Sequence, residues 1–366
     1  MPVVNRVLVV FPGKQDSGTG WGGVFNATIS HIQALKAAGA EVVVWTASKP
    51  IADAAEQVGA EVDYDPIWHR GIDPLLALRC WRKAKALKRR SLLGALHEGG
   101  RTGLWGRILL WGIPQAGVMH RERLSSYLTF RDLLVLSDGY KRQLIESGQA
   151  RGRRIAVAPN ALKSESFQPQ QLPTPEQNPK PIIGFVGRIE QVKGIDLLIE
   201  SAAQLKAQGL DFKMDIAGGA PGGYLGSVKT KGLEDTIHFS GWHDSPEQLY
   251  PQWDIFCLPS RNEPFGLSLI EAMSAGLPAV ATQCHGPSDI IEDGVSGFLT
   301  PIEDVSQLTE KLALLIKSPQ LRYKMGHAAS ERIRNNYCLP AVGKRIIQAL
   351  LELGKSSAHT GIHKNA

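Results

Sequence analysis

The 366-residue sequence predicts two doubly wound α/β domains in tandem. Three observations carry that prediction. Short β-rich apolar runs alternate with helical patterns through the first half, a proline-rich stretch interrupts them, and the same alternation then starts again. Strands alternating with helices build βαβ units and a parallel sheet covered on both faces. The length agrees: it exceeds what one core usually holds and suits two domains of roughly 150–200 residues.

The elements follow in order. RVLVVF (6–11) reads as a buried strand, Val24 to Ala38 as a helix and EVVVWT (41–46) as the next strand. LLVLS (133–137), a helical YKRQLIESG and RIAVAP (154–159) continue the pattern. The stretch 168–181, QPQQLPTPEQNPKP, holds five prolines and one aliphatic residue, Leu172, the composition of an inter-domain linker. Beyond it come IIGFVG (182–187), a helix near 194–208, FKMDIAG (212–218), TIHFSG (236–241), DIFCLPS (254–260), a helix near 266–276 and PAVAT (278–282). The last third is helical from Asp304 to about Leu353, with a break at Pro340. The expected division is an N-terminal domain over 1–167, the linker, a C-terminal domain over 182–338, a C-terminal helix over 339–354 and a disordered tail over 355–366.

Composition excludes several classes. With 43% apolar and 21% charged residues the chain is neither disordered nor fibrous. Its four cysteines, Cys80, Cys257, Cys284 and Cys338, lie far apart without a C-x-x-C, which argues against a disulfide scaffold and for a reducing cytosol. No eighteen-residue uncharged apolar run exists, and the N-terminus lacks a signal-peptide pattern. Net charge is +6, yet residues 79–107 hold nine Lys/Arg against one acid, Glu98; this local +8 leaves −2 for everything else. The basicity is therefore one local feature rather than a nucleic-acid-binding surface spread over the chain.

In open α/β sheets ligands bind at the carboxyl ends of strands and the helix N-termini that follow. Two such sheets facing each other would put those ends around one cleft, and the motifs fall just after strands. GTGWGG carries Gly18, Gly20 and Gly23 in a G-x-G-x-x-G spacing, with Gly22 between the last two. A dinucleotide fingerprint would place these glycines directly after the strand and an acid at the end of the second strand, whereas PGKQDS intervenes and Thr46 and Ser48 stand at that end. The remaining readings are a flexible loop, or a glycine loop whose amides approach a phosphate or sugar. In FVGRIEQVKG, Arg188 and Lys193 flank a strand-to-helix turn and could converge on one anion, a planar fork and a point charge.

PSRNEPFGLSLIEAMSAGLPAVAT (259–282) is the strongest signal. Pro264 is placed like a helix-start proline, leaving the amides after Phe265 and Gly266 to face an anion. Glu263 stands beside that helix end, and Glu271 lies over a turn further in, where a carboxylate can accept from two vicinal hydroxyls. An anion site with a diol site beside it describes a nucleotide sugar.

With these motifs the chain resembles the retaining GT-B glycosyltransferases of family 4. The resemblance rests on Gly22–Gly23, GR-x4-KG, E-x7-E with PFG inside it and GPSDIIEDGVSGFL (286–299), and is strongest over 182–300. It implies an α/β GT-B fold with the C-terminal helix crossing back to the first domain. Arg188 and Lys193 would bind the donor diphosphate, Glu271 the ribose hydroxyls and Glu263 the transferred sugar, with the amides of Phe265, Gly266 and Leu267 capping the phosphate. Asp289 stands where the family has Glu. His120, in QAGVMHRE, falls at the family's sugar-contacting histidine, His97 at a preceding strand end, and PNALKSESFQP (159–169) at the hinge exit. The implied reaction is front-face transfer with retention. It needs leaving-group stabilisation and positioning, and no cofactor; with no D-x-D pair at a strand end, Arg188, Lys193 and the helix start would replace a metal.

The segment RCWRKAKALKRR (79–90) separates Cys80, Trp81, Ala84 and Leu87 from Arg79, Arg82, Lys83, Arg89 and Arg90 at helical spacing, and Trp105 and Trp111 follow. A basic amphipathic helix with tryptophans fits an anionic membrane interface, a solvated helix face, or phosphates on an acceptor. The resulting expectation is a cytoplasmic, peripherally membrane-associated enzyme. It would move a hexosyl group from a nucleotide sugar, first of all a UDP-sugar, to a glycan or glycolipid acceptor such as lipopolysaccharide or a lipid-linked oligosaccharide, without nucleic acid as a partner. The alternatives are a sugar-nucleotide epimerase of the same fold and a non-catalytic sugar- or polyanion-binding relative.

Overall fold

The computed structural model describes residues 6–11, 23–64, 93–97, 115–120, 124–162 and 180–359, together with Trp81, Arg82, Lys85 and Glu122. The chain divides into two units, one of residues 1–163 and 337–366, the other of 164–336. Each is an α/β unit on a parallel sheet, the fold class expected from the sequence. Residues 168–179 of the expected linker lie outside the described residues.

The first unit contains β1 (Arg6–Phe11), α1 (Gly23–Ala37), β2 (Glu41–Thr46), α2 (Lys49–Gln57), β3 (Glu61–Tyr64), β4 (Leu93–Leu96), β5 (Gln115–Met119), β6 (Asp132–Val135), α3 (Asp138–Glu146) and β7 (Arg154–Val157). Its seven strands run in the order β3-β2-β1-β4-β5-β6-β7. All described pairings are parallel, with Val7 opposite both Val42 and Leu93. Val7, Val9 and Phe11 face one layer of core with Phe25, Ile32 and Leu35, while Leu8 and Val10 face the other with Trp45, Met119 and Phe130. A strand buried on both sides needs this near-continuous apolar run.

The second unit contains β8 (Ile182–Val186), α4 (Ile195–Ala207), β9 (Lys213–Ala217), α5 (Tyr224–Thr230), β10 (Ile237–Gly241), β11 (Ile255–Leu258), α6 (Leu267–Ser274), β12 (Ala279–Thr282), α7 (His285–Ile290), β13 (Gly297–Thr300), α8 (Val305–Lys317) and α9 (Pro319–Asn336). Strand order is β10-β9-β8-β11-β12-β13. In both sheets the order reverses beside the first strand, between β1 and β4 and between β8 and β11. Such switch points are where open α/β sheets bind ligands.

The final helix, α10 (Leu339–His359), returns to the first unit, as expected. Pro340 opens it. Val342, Ile346, Leu350 and Leu353 join the core beneath α1. The helices meet at backbone distance: a Cβ on Gly343 would stand 1.9 Å from the Ala34 carbonyl oxygen. The helix runs on to His359, so the tail expected from 355 starts helical. Gly354 costs about 1 kcal/mol relative to alanine, which does not end a helix docked along its apolar face.

Candidate functional site

Arg188 and Lys193 lie on the loop leaving β8, and Arg261 and Glu263 on the loop leaving β11, the strands that flank the switch point of the second sheet. The backbones of these loops touch. Gly194 adopts φ +72°, and a Cβ there would stand 2.1 Å from the Pro259 carbonyl oxygen, so both the turn and the contact require glycine. The Arg261 amide donates to the Val192 carbonyl at 2.8 Å. The Arg261 guanidinium donates to Asp196 at 2.8 and 2.7 Å, to the Gln191 carbonyl at 2.6 Å and to Glu303 at 2.7 Å. Hydrogen bonding from this fork holds the Asp196 carboxyl below its ordinary range. Glu303 is the one non-glycine residue at positive φ among the described residues.

This clamp sets Lys193 against Glu263. Lys193 Nζ lies 2.6 Å from Glu263 Oε2, with the two side chains 17% and 11% exposed. A carboxylate so nearly buried needs a partner, and here the partner comes from 70 residues away in the chain. Arg188 turns to Glu190 at 2.6 Å and is well exposed.

Glu263 and Phe265 are buried, and Gly266, at φ +105°, caps α6. The helix therefore begins at Leu267 rather than at Pro264. The left-handed glycine breaks the chain direction, so the proline belongs to the loop. The Leu269 and Ile270 amides donate to the Gly266 carbonyl at 3.1 and 3.2 Å, and the Leu267 and Ser268 amides ahead of them have no intrahelical acceptor. The loop is pinned from behind by the Gly286 amide donating to the Glu263 carbonyl at 3.1 Å, and a Cβ on Gly286 would meet the Phe265 carbonyl at 2.1 Å. Glu271 projects from the second turn of α6 and accepts from the Tyr250 hydroxyl at 2.7 Å. Burial, with Glu271 adjacent, pushes the Tyr250 phenol well above its ordinary pKa, so it stays protonated and donates. Asp289 lies in α7, and Arg332 reaches its backbone carbonyl at 3.1 Å.

At the switch point of the first sheet stand three histidines. His97 directly follows β4 and His120 directly follows β5, while His31 projects from α1; all three are buried. His97 Nδ1 is 3.0 Å from His120 Nε2 and 3.1 Å from Thr28 Oγ1, and His31 Nε2 donates to the Pro159 carbonyl at 3.1 Å. Ring centroids are 5.0 to 6.1 Å apart. Desolvation lowers His31 to about 4 and, with its two histidine neighbours adding to the effect, lowers His97 well below its ordinary value. The cluster is therefore uncharged around neutral pH at these two positions. Among the described residues no group of three His, Cys, Asp or Glu side chains is arranged to hold a metal ion.

Gly22 lies outside the described residues, and Gly23 is the first residue of α1. Arg79, Lys83, Arg89, Arg90, Trp105 and Trp111 also lie outside them. Trp81, Arg82 and Lys85 are helical and exposed, with Trp81 50% accessible and the Lys85 ammonium 5.1 Å from its ring centroid. No helix among the described residues is long and apolar enough to cross a membrane. Sequence reasoning singled out neither Arg261, Tyr250, Thr28 nor His31. Arg261 stood inside a quoted motif as PSRNE, whereas the other three carry no local signal.

A doubly wound α/β protein with an anion-suited, carboxylate-bearing site at its strand ends is the class these observations define. Residues 167–332 match the family model described as glycosyl transferases group 1. Alpha-D-kanosaminyltransferase of Streptomyces kanamyceticus is 27% identical over 233 residues, 61% of this chain and 60% of that protein, so the match spans under two thirds of the relative. Among solved structures, a glycosyltransferase from Rickettsia africae superposes with a TM-score of 0.74 over 96% of this chain and 98% of its own, at 19% identity. Anabaena Alr3699/HepE in complex with UDP and glucose gives 0.69 over 95% and 99%, also at 19% identity. The fold is the GT-B type of these enzymes.

Proposed function

We propose that the chain is a retaining glycosyltransferase that moves a hexosyl group from a UDP-sugar to a glycan or glycolipid acceptor of the cell envelope. The observation that carries the reading is the Lys193–Glu263 pair beside the α6 N-terminus, with Glu271 one turn further along the same helix. A lysine and the amides at the start of α6 suit a diphosphate, and a carboxylate held by Tyr250 suits a ribose diol. UDP in the structurally similar Anabaena protein supports the choice of donor. In this reading Arg188 and Lys193 offset the charge that builds on the departing diphosphate, Glu263 orients the sugar hydroxyls and His120 contacts the sugar. Fixed cations and helix amides then do the work a metal would otherwise do.

Exposed Trp81, Arg82 and Lys85 support contact between the 79–111 segment and an anionic membrane surface on its cytoplasmic side. Transfer from radiolabelled UDP-hexose to extracted envelope glycans, run with excess EDTA and with anionic vesicles, tests the whole reading. Product in EDTA and sedimentation with the vesicles are expected. Loss of product restored by Mg²⁺ would overturn the metal-free mechanism, and protein wholly in the supernatant at low salt would overturn the membrane contact.

A further inference from the structure

The histidine cluster contains more order than its uncharged state requires, and the order can be read by following its protons. The Thr28 hydroxyl has one proton, which it donates to the Val24 carbonyl at 2.8 Å. Toward His97 Nδ1, 3.1 Å away, Thr28 Oγ1 can therefore only accept. His97 Nδ1 must carry a hydrogen. The same N–H stands 3.0 Å from His120 Nε2, which must then present its lone pair. The opposite assignment would set two lone pairs against each other across the Thr28–His97 contact. It would also move the His97 proton to Nε2 and the His120 proton to Nε2; His97 Nε2 and His120 Nδ1 are both buried, so the Thr28 contact is what decides between the two assignments. His31 does not compete, because its Nε2 proton is committed to the Pro159 carbonyl.

We propose that His97, anchored by Thr28, is a positioning residue that fixes His120 as the neutral Nδ1–H tautomer, with Nε2 turned inward as an acceptor. His120 then carries its proton on Nδ1, a buried atom, and adding a second proton at Nε2 is opposed by the N–H facing it. Low basicity of His97 agrees, since a protonated His97 would lose the distinction between its two nitrogens. The consequence for catalysis rests on the reading that His120 touches the transferred sugar; the tautomer assignment does not.

The test is ¹⁵N-imidazole NMR on the full chain, with His120 identified by its absence from His120→Gln, alongside transfer kinetics. The wild type should show His120 protonated at Nδ1 and bare at Nε2. His97→Asn places an amide N–H near the position of Nδ1 and should keep that tautomer and most of kcat. His97→Leu and the isosteric Thr28→Val should release His120 to a mixed or Nε2–H form. In His97→Leu, kcat should fall roughly ten- to hundredfold with UDP affinity little changed. Because Thr28→Val and His97→Asn preserve volume and polarity respectively, a folding failure of His97→Leu would leave the test intact. An Nε2–H signal for His120 in the wild type, or an unaltered tautomer in Thr28→Val and His97→Leu, would overturn the proposal. A shifted tautomer with unchanged transfer would uphold the wiring and remove His120 from the sugar.

Discussion

The strand-end site of the second unit and the histidine cluster of the first occupy equivalent places in their sheets and use opposite chemistry. At the β8/β11 switch point the working groups are ionised and paired, Lys193 with Glu263 and Arg261 with Asp196, and each pair keeps some contact with water. At the β1/β4 switch point the groups are buried and His31 and His97 stay uncharged, arranged by hydrogen bonds alone. Ions can be held where solvent still screens them and a counter-charge lies within 3 Å. In a site closed to water, holding an imidazole neutral costs less than desolvating an imidazolium. On the proposed reading, charge recognition falls to the second unit and orientation of a single ring to the first.

The largest expected effect comes from charging the neutral site. His31 titrates near 4 in the folded chain and near 6.5 when unfolded. Between those values the unfolded chain takes up a proton that the folded chain refuses, so stability present above pH 6.5 is lost as pH falls toward 4. The loss amounts to about 3 kcal/mol from this residue, and His97 adds to it in the same direction. Thermal unfolding followed from pH 7.5 to 4.5 should show the decline. His31→Gln keeps a donor for the Pro159 carbonyl without titrating and should flatten it; an unchanged slope in that variant would place the acid sensitivity elsewhere.

Removing charge from the other site comes next. Lys193→Ala deletes a charge-assisted contact worth about 1.5–3 kcal/mol, so UDP-sugar turnover per unit concentration should fall roughly 10- to 150-fold. It also strands a nearly buried Glu263 carboxylate. Arg261→Ala should act through Lys193 rather than on the donor. It frees the 191–196 turn from its clamp and should raise the donor KM by roughly threefold to tenfold, an effect of about 1 kcal/mol. Arg261→Lys should not restore it, because one ammonium cannot reproduce the fork on Asp196. Equal losses in the two alanine variants would blur the distinction between a ligand-contacting cation and a supporting one.

The same contrast explains what could be read from the chain in advance. The sheets were legible because strands such as RVLVVF and IIGFV are buried on both faces and read as continuous apolar runs. Short strands were not: β3 (EVDY) lies half exposed, and β4 (LGAL) and β13 (GFLT) carry a glycine in four residues. In the site, Lys193, Glu263 and Glu271 were legible because each sits within a few residues of a glycine turn after a strand. Their partners were not all so. Tyr250 reaches Glu271 across 21 residues, and Thr28 reaches His97 across 69. Contacts of that range follow from strand order, which local composition does not reveal. The start of α6 was misplaced for a related reason: Pro264 looks like a helix opener until the left-handed Gly266 behind it is known.

The central claim is that one helix, α6, separates the two halves of a nucleotide sugar, with Glu271 on the ribose and Glu263 on the sugar. Isothermal titration of UDP into the wild type, Glu271→Gln and Glu263→Gln tests it most directly, because UDP contains the ribose and lacks the sugar. The account predicts that Glu271→Gln weakens UDP roughly tenfold or more, whereas Glu263→Gln binds UDP nearly as the wild type does and loses affinity only for the sugar-bearing donor. Equal loss of UDP in both variants, or no UDP binding to the wild type, would contradict it.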